Sequence, residues 1–146
     1  MQLFDIWDLV KIILAVIAGG LVGLEREFRD KPAGFRTLVL ISMASATFTI
    51  LSSRLAPDSD PTRIAANIVT GIGFLGAGAI LREGLQVTGL TTAATIWLAA
   101  AIGMAIGGGQ YGLALVLVAI AMIVLWIFNG FEASIDRIRE EHVYKV

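Results

Sequence analysis

Four glycines lie within one strongly apolar run of this chain, which reads GIGFLGAGAIL from Gly71 to Leu81. In a water-exposed helix, each glycine would cost about 1 kcal/mol relative to alanine. In a lipid bilayer the same glycines allow neighbouring helices to approach closely, and no water competes for the backbone hydrogen bonds. The run therefore predicts a membrane protein in which Gly71, Gly73, Gly76 and Gly78 serve helix packing.

The same small-residue spacing recurs in Gly19-x-x-x-Gly23, Gly103-x-x-x-Gly107 and Gly108-x-x-x-Gly112. Such pairs line one helix face and favour contact with another helix. Two interpretations remain open for these glycines, a tight five-helix core and a face on which two copies of the chain meet. The core interpretation is the preferred one.

The overall composition also indicates a membrane protein. Of the 146 residues, 57% are hydrophobic and 16% are charged, and the mean hydropathy is +0.83. The chain has no cysteine, and its single histidine, His142, lies near the C-terminus, which excludes thiolate and histidine-rich metal sites. No nucleophile and base fall within plausible reach of each other. We therefore expect a protein that is not an enzyme, uses no cofactor and binds no nucleic acid, while a metal site is left undecided.

Five stretches are apolar enough to cross a bilayer as helices, although some only narrowly reach the required length of about 20 residues. They cover about residues 7–24, 35–55, 64–81, 90–106 and 111–128, and short polar or glycine-rich turns separate them. The turns are short, so successive helices should be antiparallel neighbours. The prediction is an all-α, polytopic fold with a five-helix transmembrane domain over residues 1–131.

The remaining residues, 132–146, are predicted to form a short amphipathic tail in the cytoplasm, with Ile135 and Ile138 on one helix face. The distribution of Lys and Arg among the loops supports a cytoplasmic location for the tail. The first loop, the third loop and the tail together carry eight of these cations, against three on the other side. Cytoplasmic loops are enriched in Lys and Arg, so the N-terminus is predicted outside. Lys11, near the start of the first helix, is expected to extend its ammonium towards the membrane surface.

An internal repeat is suggested at an offset of 55 residues, at which Gly34 aligns with Gly89 and Thr37 with Thr92. The matches fit a parallel repeat of a two-helix hairpin, with helices 1–2 and 3–4 as its copies and a fifth helix added. They also fit chance, because alanine and glycine match easily in membrane sequences.

Charged side chains at the membrane boundary are the first candidates for function. A charge at this depth is costly unless it is paired or hydrated. Two interpretations remain open. One is a structural clamp in which Glu25 pairs with Arg36 or Arg82 while Arg26 meets phospholipid headgroups. The other is a polar vestibule formed by Glu25, Arg36, Arg82 and Glu83.

Polar residues on the later helices extend this set. Asn67 lies one turn after Arg63 and is expected to form a hydrogen bond to another helix. Thr91 and Thr92 open the fourth helix, where hydroxyls either cap the helix or bind an anion at its N-terminus. The whole predicted polar cluster is Glu25, Arg26, Arg36, Thr37, Arg63, Asn67, Arg82, Glu83, Thr91 and Thr92.

The third helix has a clear start signal in Asp60-Pro61, an N-cap residue followed by proline at the first helical position. Asp58 and Asp60 could also contact Mg²⁺. Two carboxylates on a turn are few ligands for this ion, so a solvated turn is the favoured interpretation.

The sequence resembles the MgtC/SapB family of bacterial inner-membrane proteins from residue 9 to about residue 128. The resemblance rests on the segments GLERE (23–27), AGFRT (33–37), RIAA (63–66), GIGFLGAGAILREG (71–84) and GLTTAATIW (89–97). It implies a five-helix membrane domain in the bacterial inner membrane with a cytoplasmic C-terminus. This orientation agrees with the distribution of Lys and Arg.

The resemblance also implies a regulatory function. Virulence-associated members support growth at low magnesium and survival in phagocytes, and they restrain the F-type ATP synthase. Those members carry a soluble ACT-like domain after the membrane part, which this sequence does not include, and they tend to have Asn where this chain has Thr91.

We therefore expect a non-enzymatic regulator of another membrane component, such as the F-type ATP synthase, in adaptation to low magnesium or stress. Its expected partners are the lipid bilayer and a second copy, in a homodimer or other homo-oligomer. The alternative is a channel or carrier for a small ion or solute.

Overall fold

The computed structural model describes residues 5–55, 60, 62–84 and 86–143, and for Glu83 and residues 128–143 it describes the backbone alone. Five helices and one short hairpin follow in chain order. The helices are α1 (Ile6–Phe28), α2 (Phe35–Leu55), α3 (Thr62–Gly78), α4 (Leu90–Gly107) and α5 (Tyr111–Val143), and the strands are β1 (Leu81–Glu83) and β2 (Gln86–Thr88). The predicted all-α polytopic fold is confirmed, with the hairpin as an addition.

Three of the helices in the described ranges, α1, α2 and α4, are long and apolar enough to cross a membrane. Helix α3 has 17 residues, which at 1.5 Å per residue gives about 26 Å against a hydrocarbon thickness of about 30 Å. The apolar part of α5, Tyr111–Ile127, is also shorter than a full span. Three helices therefore meet the requirements of a membrane span, while the crossing of all five helices stays a prediction.

The predicted end of the third helix is wrong by three residues. Helix α3 ends at Gly78, and Leu81 begins a strand that pairs antiparallel with β2. The turn contains Gly84 at φ 62°, a left-handed conformation that suits glycine. Strands of three residues are too short to show the alternating pattern by which strands are found in sequence.

The predicted tail is not a separate helix. The described backbone of α5 continues without a break through residue 131 to Val143. Its 33 residues make a helix about 50 Å long, which exceeds the thickness of the hydrocarbon layer. The division of the chain at residue 131, and the location of the tail, remain predictions.

Close packing of α2 against two neighbours determines the core. A Cβ placed at Gly19 of α1 would lie 2.7 Å from the Leu38 carbonyl oxygen. On the α4 side, a Cβ at Gly103 would overlap the Ser42 carbonyl oxygen, and one at Gly107 would lie 2.6 Å from that of Ala46. The glycines of α1 and α4 therefore bring both helices against the α2 backbone, as the core interpretation predicted.

The glycines of α3 behave differently. A Cβ at Gly71, Gly73 or Gly78 would meet no atom within 4 Å, and one at Gly76 would make only ordinary contact with Ala93 at 3.8 Å. Within one chain, these glycines do not bring helices together, contrary to the prediction. Helix α3 lies at the edge of the bundle and buries only the stripe of Ile68, Ile72 and Gly76, so most of its glycines face outwards.

The two predicted repeat units agree in where their second helix begins but not in their packing. Helices α2 and α4 begin at Phe35 and Leu90, which keeps the 55-residue offset. A Cβ at Gly23 would lie 2.8 Å from the Phe35 Cα, whereas the aligned Gly78 faces open space. The first hairpin is therefore tightly packed and the second is not, and the duplication itself stays a prediction.

Charged contacts tie the helices together at the end of the bundle where α1 begins. The Arg54 guanidinium of α2 lies 2.6 Å from the Asp8 carboxylate of α1, which is largely buried. The Lys11 ammonium donates to the Gly107 carbonyl at the end of α4, at 3.1 Å. Lys11 therefore completes the C-terminus of another helix, and its predicted reach towards the membrane surface stays a prediction.

Alanine substitutions test the packing of α2. Gly103→Ala should lower the free energy of unfolding by about 1–3 kcal/mol, because the new methyl group overlaps the α2 backbone. Gly73→Ala is the matched control, since its methyl group enters open space, and it should leave stability unchanged or slightly higher. Thermal unfolding in a mild detergent measures both variants. Equal stability of the two variants would contradict the packing described here.

The start of α3 provides a pH-dependent prediction. Asp60 accepts hydrogen bonds from the Thr62 hydroxyl at 2.7 Å and from the Thr62 backbone N–H at 2.9 Å, as expected of a capping residue. These bonds lower the pKa of Asp60 below its ordinary value of 3.8. The capping contribution is therefore fully present above that value and is lost as pH falls through the lowered pKa. Asp58 lies outside the described residues.

An NMR titration of the Thr62 amide resonance checks this prediction. In the parent protein, the resonance should move with a midpoint below pH 3.8. In Asp60→Asn, which caps without titrating, it should stay constant over the same range. A midpoint above 3.8 in the parent would show that the hydrogen bonds to Thr62 do not form.

Candidate functional site

A cavity of about 620 Å³ lies at the end of the bundle that carries the β1–β2 hairpin, here called the hairpin end. Three parts of the chain surround it: the end of α1 with the loop that follows, the hairpin, and the first turn of α4. Helix α5 closes one side with Val124 and Leu125. The polar and charged side chains in its lining are Arg26, Asp30, Lys31, Thr88, Thr91 and Thr92.

An ion pair in the last turns of α1 stands beside the cavity. The Glu25 carboxylate lies 2.5 Å from the Arg29 guanidinium and 3.9 Å from that of Arg26. Glu25 is 7% exposed and Arg26 only 3%, and neither Glu25 oxygen accepts a hydrogen bond of good geometry from a described residue. The Glu25 charge is therefore balanced by ion pairing. Two cations in the last turns of α1 also suit the negative end of its dipole.

Arg26 connects the end of α1 to the start of α4. Its guanidinium donates to the Thr92 hydroxyl at 3.3 Å, and both side chains are almost fully buried. The Thr95 hydroxyl donates back to the Thr91 carbonyl at 2.7 Å, within the same helix. A buried guanidinium is thus held at the edge of the cavity by a hydroxyl in the first turn of α4.

The N-terminus of α4 has no side-chain cap. Its N-cap residue is Gly89 at φ 85°, and a Cβ there would overlap the Ala79 carbonyl oxygen, so glycine is required on both grounds. The predicted capping by Thr91 and Thr92 is therefore wrong. Leu90, Thr91 and Thr92, the first three residues of α4, instead line the cavity.

Several predicted site residues lie elsewhere. Arg36 and Thr37 are exposed on the first turn of α2, and Arg63 is exposed near the start of α3, at the opposite end of the bundle. Arg82 is exposed in β1 and donates to the Gly84 carbonyl at 3.1 Å. The backbone of Glu83 completes β1, while its side chain is outside the description.

One interpretation of the charged boundary residues needs correction. The ion pairs of Glu25 are with Arg29 and Arg26, not with Arg36 or Arg82, so the predicted clamp has the wrong partners. Glu25, Arg36 and Arg82 are not in the lining of this cavity, and the predicted vestibule stays a prediction. The structure brings together Glu25, Arg26, Thr91 and Thr92 of the predicted set, at the edge of one cavity.

Asn67 is placed apart from this cluster. It is exposed on α3 and lines an apolar groove between α2 and α3, and no hydrogen bond joins it to another described residue. The expected bond from Asn67 to another helix is therefore not made within this chain.

Sequence reasoning missed Arg29, Asp30 and Lys31. The spacing of Glu25 and Arg29, four residues apart on one helix, was the signal available for the first of them. No sequence signal places Asp30 and Lys31 at the cavity, because their position depends on how the loop folds back over α4. Among the side chains that the structure describes, no three His, Cys, Asp or Glu residues gather where they could hold a metal ion.

Replacement of Glu25 tests the buried ion pair. Glu25→Gln removes the negative charge beside two cations and should lower the free energy of unfolding by about 3 kcal/mol. Glu27→Gln is the control, since Glu27 is exposed and its acceptor role towards the Phe35 N–H can be taken by an amide oxygen. Denaturant unfolding of the purified protein compares the two. Similar losses would show that the Glu25–Arg29 pair contributes no special stability.

Comparison with known proteins finds relatives in several bacteria. A protein of Brucella abortus (strain 2308) named Protein MgtC is 55% identical over 95 residues, which cover 65% of this chain and 40% of that protein. The protein of Escherichia coli K12 named "Putative magnesium transporter YhiD" is 48% identical over 129 residues, 83% of this chain and 60% of the relative. Protein MgtC of Salmonella typhimurium LT2 is 50% identical over 103 residues, which cover 70% of this chain and 44% of that protein.

The chain spans less than two thirds of the length of each of these relatives. No solved structure is significantly similar to it. The MgtC family model matches residues 12–134, which include α2, α3 and α4 completely and most of α1 and α5. From this match and from the identities near 50%, the chain belongs to the MgtC family.

Proposed function

We propose that the protein is a non-enzymatic regulator in the bacterial inner membrane that acts by binding other transmembrane helices through the outward face of α3. The observation that carries this proposal is the unpartnered state of that face within one chain. The orientation we propose places the hairpin end in the cytoplasm, in line with the excess of Lys and Arg there.

The outward face of α3 carries a row of small residues. Ala66, Thr70, Gly73 and Ala77 are all exposed and follow one another at intervals of four, three and four residues, which places them on one side of the helix. The Thr70 hydroxyl donates to the Ala66 carbonyl at 2.9 Å, so it needs no outside partner. Small residues in such a row allow a second helix to approach closely in lipid.

A groove beside this row supplies a polar contact. It has a volume of about 620 Å³, lies between α2 and α3, and is lined by apolar side chains such as Leu40 and Phe48 together with Asn67. An amide that faces lipid without a hydrogen bond is costly. A helix that lay along the groove would cover the Asn67 amide and could bond to it.

The first occupant we propose for this face is a second copy of the chain. Open space beside Gly73, in the middle of the row, would let two α3 helices cross in close contact. A helix of another membrane complex, such as the F-type ATP synthase, is the other occupant, and regulation of that complex during adaptation to low magnesium is the role that the family resemblance supports.

Cysteine cross-linking tests the α3 face directly, because the natural chain has no cysteine. Gly73→Cys should give a disulfide-linked dimer when membranes that contain the protein are oxidised, since a side chain at this position points into open space. Leu115→Cys is the control, because Leu115 is 71% exposed on α5, and it should remain monomeric. The products are separated by non-reducing electrophoresis.

The cross-linked products distinguish the occupants. A product of twice the chain mass supports self-association, and a product with another protein supports a heterologous partner. If Gly73→Cys forms no product, or if Leu115→Cys reacts equally, α3 is not the contact surface.

The carrier function is the second candidate, and the name of the Escherichia coli relative, "Putative magnesium transporter YhiD", favours it. On the regulator proposal, proteoliposomes with the purified chain should take up Mg²⁺ no faster than empty liposomes. Uptake above that background which is lost in Asn67→Ala would favour the carrier and count against the regulator. Uptake is followed with a magnesium-sensitive dye inside the liposomes.

A further inference from the structure

We propose that the cavity at the hairpin end binds a phosphate-type anion, and that its natural source is an anionic phospholipid whose headgroup enters the cavity. The inference is independent of the regulator proposal, because no residue of the small-residue row on α3 lines this cavity. It combines three observations: the charge of the lining, the open N-terminus of α4, and an apolar groove that leads away from the cavity.

The lining carries a positive balance of charge. Arg26 and Lys31 face Asp30 in the cavity wall, which gives two positive charges and one negative. The neighbouring carboxylates are engaged elsewhere, because Glu25 pairs most closely with Arg29 and Glu27 accepts from the Phe35 N–H at 2.9 Å. An anion that enters the cavity therefore meets more cations than carboxylates among the residues of its lining.

The first turn of α4 supplies hydrogen-bond donors. The first four N–H groups of a helix have no partner within it, and Gly89 has no side chain that could accept from them. Leu90, Thr91 and Thr92, which carry such groups, line the cavity. Helix N-termini bind phosphate through these N–H groups and the positive end of the dipole.

The buried guanidinium of Arg26 is the part of the positive lining that contacts the first turn of α4. It is 3% exposed, lies in the cavity wall, and is held against the first turn of α4 by the Thr92 hydroxyl. Arginine presents its donors in a planar fork that matches two phosphate oxygens at once. Arg26 and the α4 N–H groups thus approach the same space from two elements.

An apolar groove of about 200 Å³ continues from the cavity between α4 and α5. It shares Thr91, Val124 and Leu125 with the cavity wall and runs on past Leu98 and Ile120 towards the middle of the helices. A free phosphate ion would use only the polar end. A phospholipid would use both parts, with its phosphate at Arg26 and an acyl chain along the groove.

The size of the cavity also favours a headgroup. Its volume of about 620 Å³ exceeds by about twentyfold the 30 Å³ that one water molecule occupies in the liquid. An inorganic phosphate ion would leave most of that space to water. A glycerol-phosphate headgroup with the start of an acyl chain fills it better, and a net positive lining prefers an anionic lipid to a zwitterionic one.

Native mass spectrometry of the full chain in a neutral detergent tests the proposal, with phosphatidylglycerol, phosphatidylethanolamine and inorganic phosphate added separately. The parent should retain phosphatidylglycerol in preference to phosphatidylethanolamine. Thr91→Asp places a negative charge in the cavity wall, and Lys31→Gln removes a positive one. Each should weaken retention of phosphatidylglycerol by about tenfold, the effect of one charged contact.

Two matched controls separate the site from general surface charge. Thr37→Asp adds the same charge to the first turn of α2, and Arg36→Gln removes an exposed cation near the same end of the bundle. Both residues are exposed and lie outside the cavity lining, so both variants should retain phosphatidylglycerol as the parent does. All four altered residues are exposed, so the variants should fold.

The outcomes decide between the sources of the anion. Loss of phosphatidylglycerol in Thr91→Asp and Lys31→Gln alone supports the lipid site. Binding of inorganic phosphate without lipid, lost in the same two variants, keeps the anion site and overturns the lipid as its ligand. Equal weakening in the two controls, or no binding of either anion by the parent, overturns the proposal.

Discussion

Contact between the backbones of α1, α2 and α4 is the constraint on which the rest of the structure depends. Helix α2 lies between glycines of α1 on one side and glycines of α4 on the other. In a bilayer, the transfer of an apolar side chain from lipid to a helix interface changes the free energy little. Close packing between helices is therefore a main source of their association. Within the part of the chain that the structure describes, the three helices of this core are also those found both long and apolar enough to span a membrane.

The position of the cavity follows from that core. Once α1 and α4 are both fixed against α2, the end of α1 and the start of α4 meet at the hairpin end. Arg26 and Thr92 then come within hydrogen-bond distance, although they are 66 residues apart in sequence. Helix α3, which lacks such contacts, stays at the edge and leaves its small residues available to other molecules. The tight packing thus involves α1, α2 and α4, while the surface available to other molecules lies on α3.

The sequence predicted the helices better than their contacts. Apolar length placed five helices correctly, and the Asp60-Pro61 signal placed the start of α3 within two residues. Glycine spacing is similar in α1, α3 and α4, so it could not show that only α1 and α4 use it for close contact within one chain. Of the charged residues, Glu25 and Arg26 were identified, but their partners depend on loop geometry, which residue types alone do not specify.

The continuity of α5 has a mechanical consequence. The same helix provides Val124 and Leu125 to the cavity wall and continues without interruption to Val143. A helix of this kind transmits tilt along its axis, because bending it would require breaking several consecutive backbone hydrogen bonds. A displacement of the distal turns of α5 should therefore move Val124 and Leu125 in the cavity wall. The C-terminal turns of α5 and the occupancy of the cavity are thereby mechanically coupled.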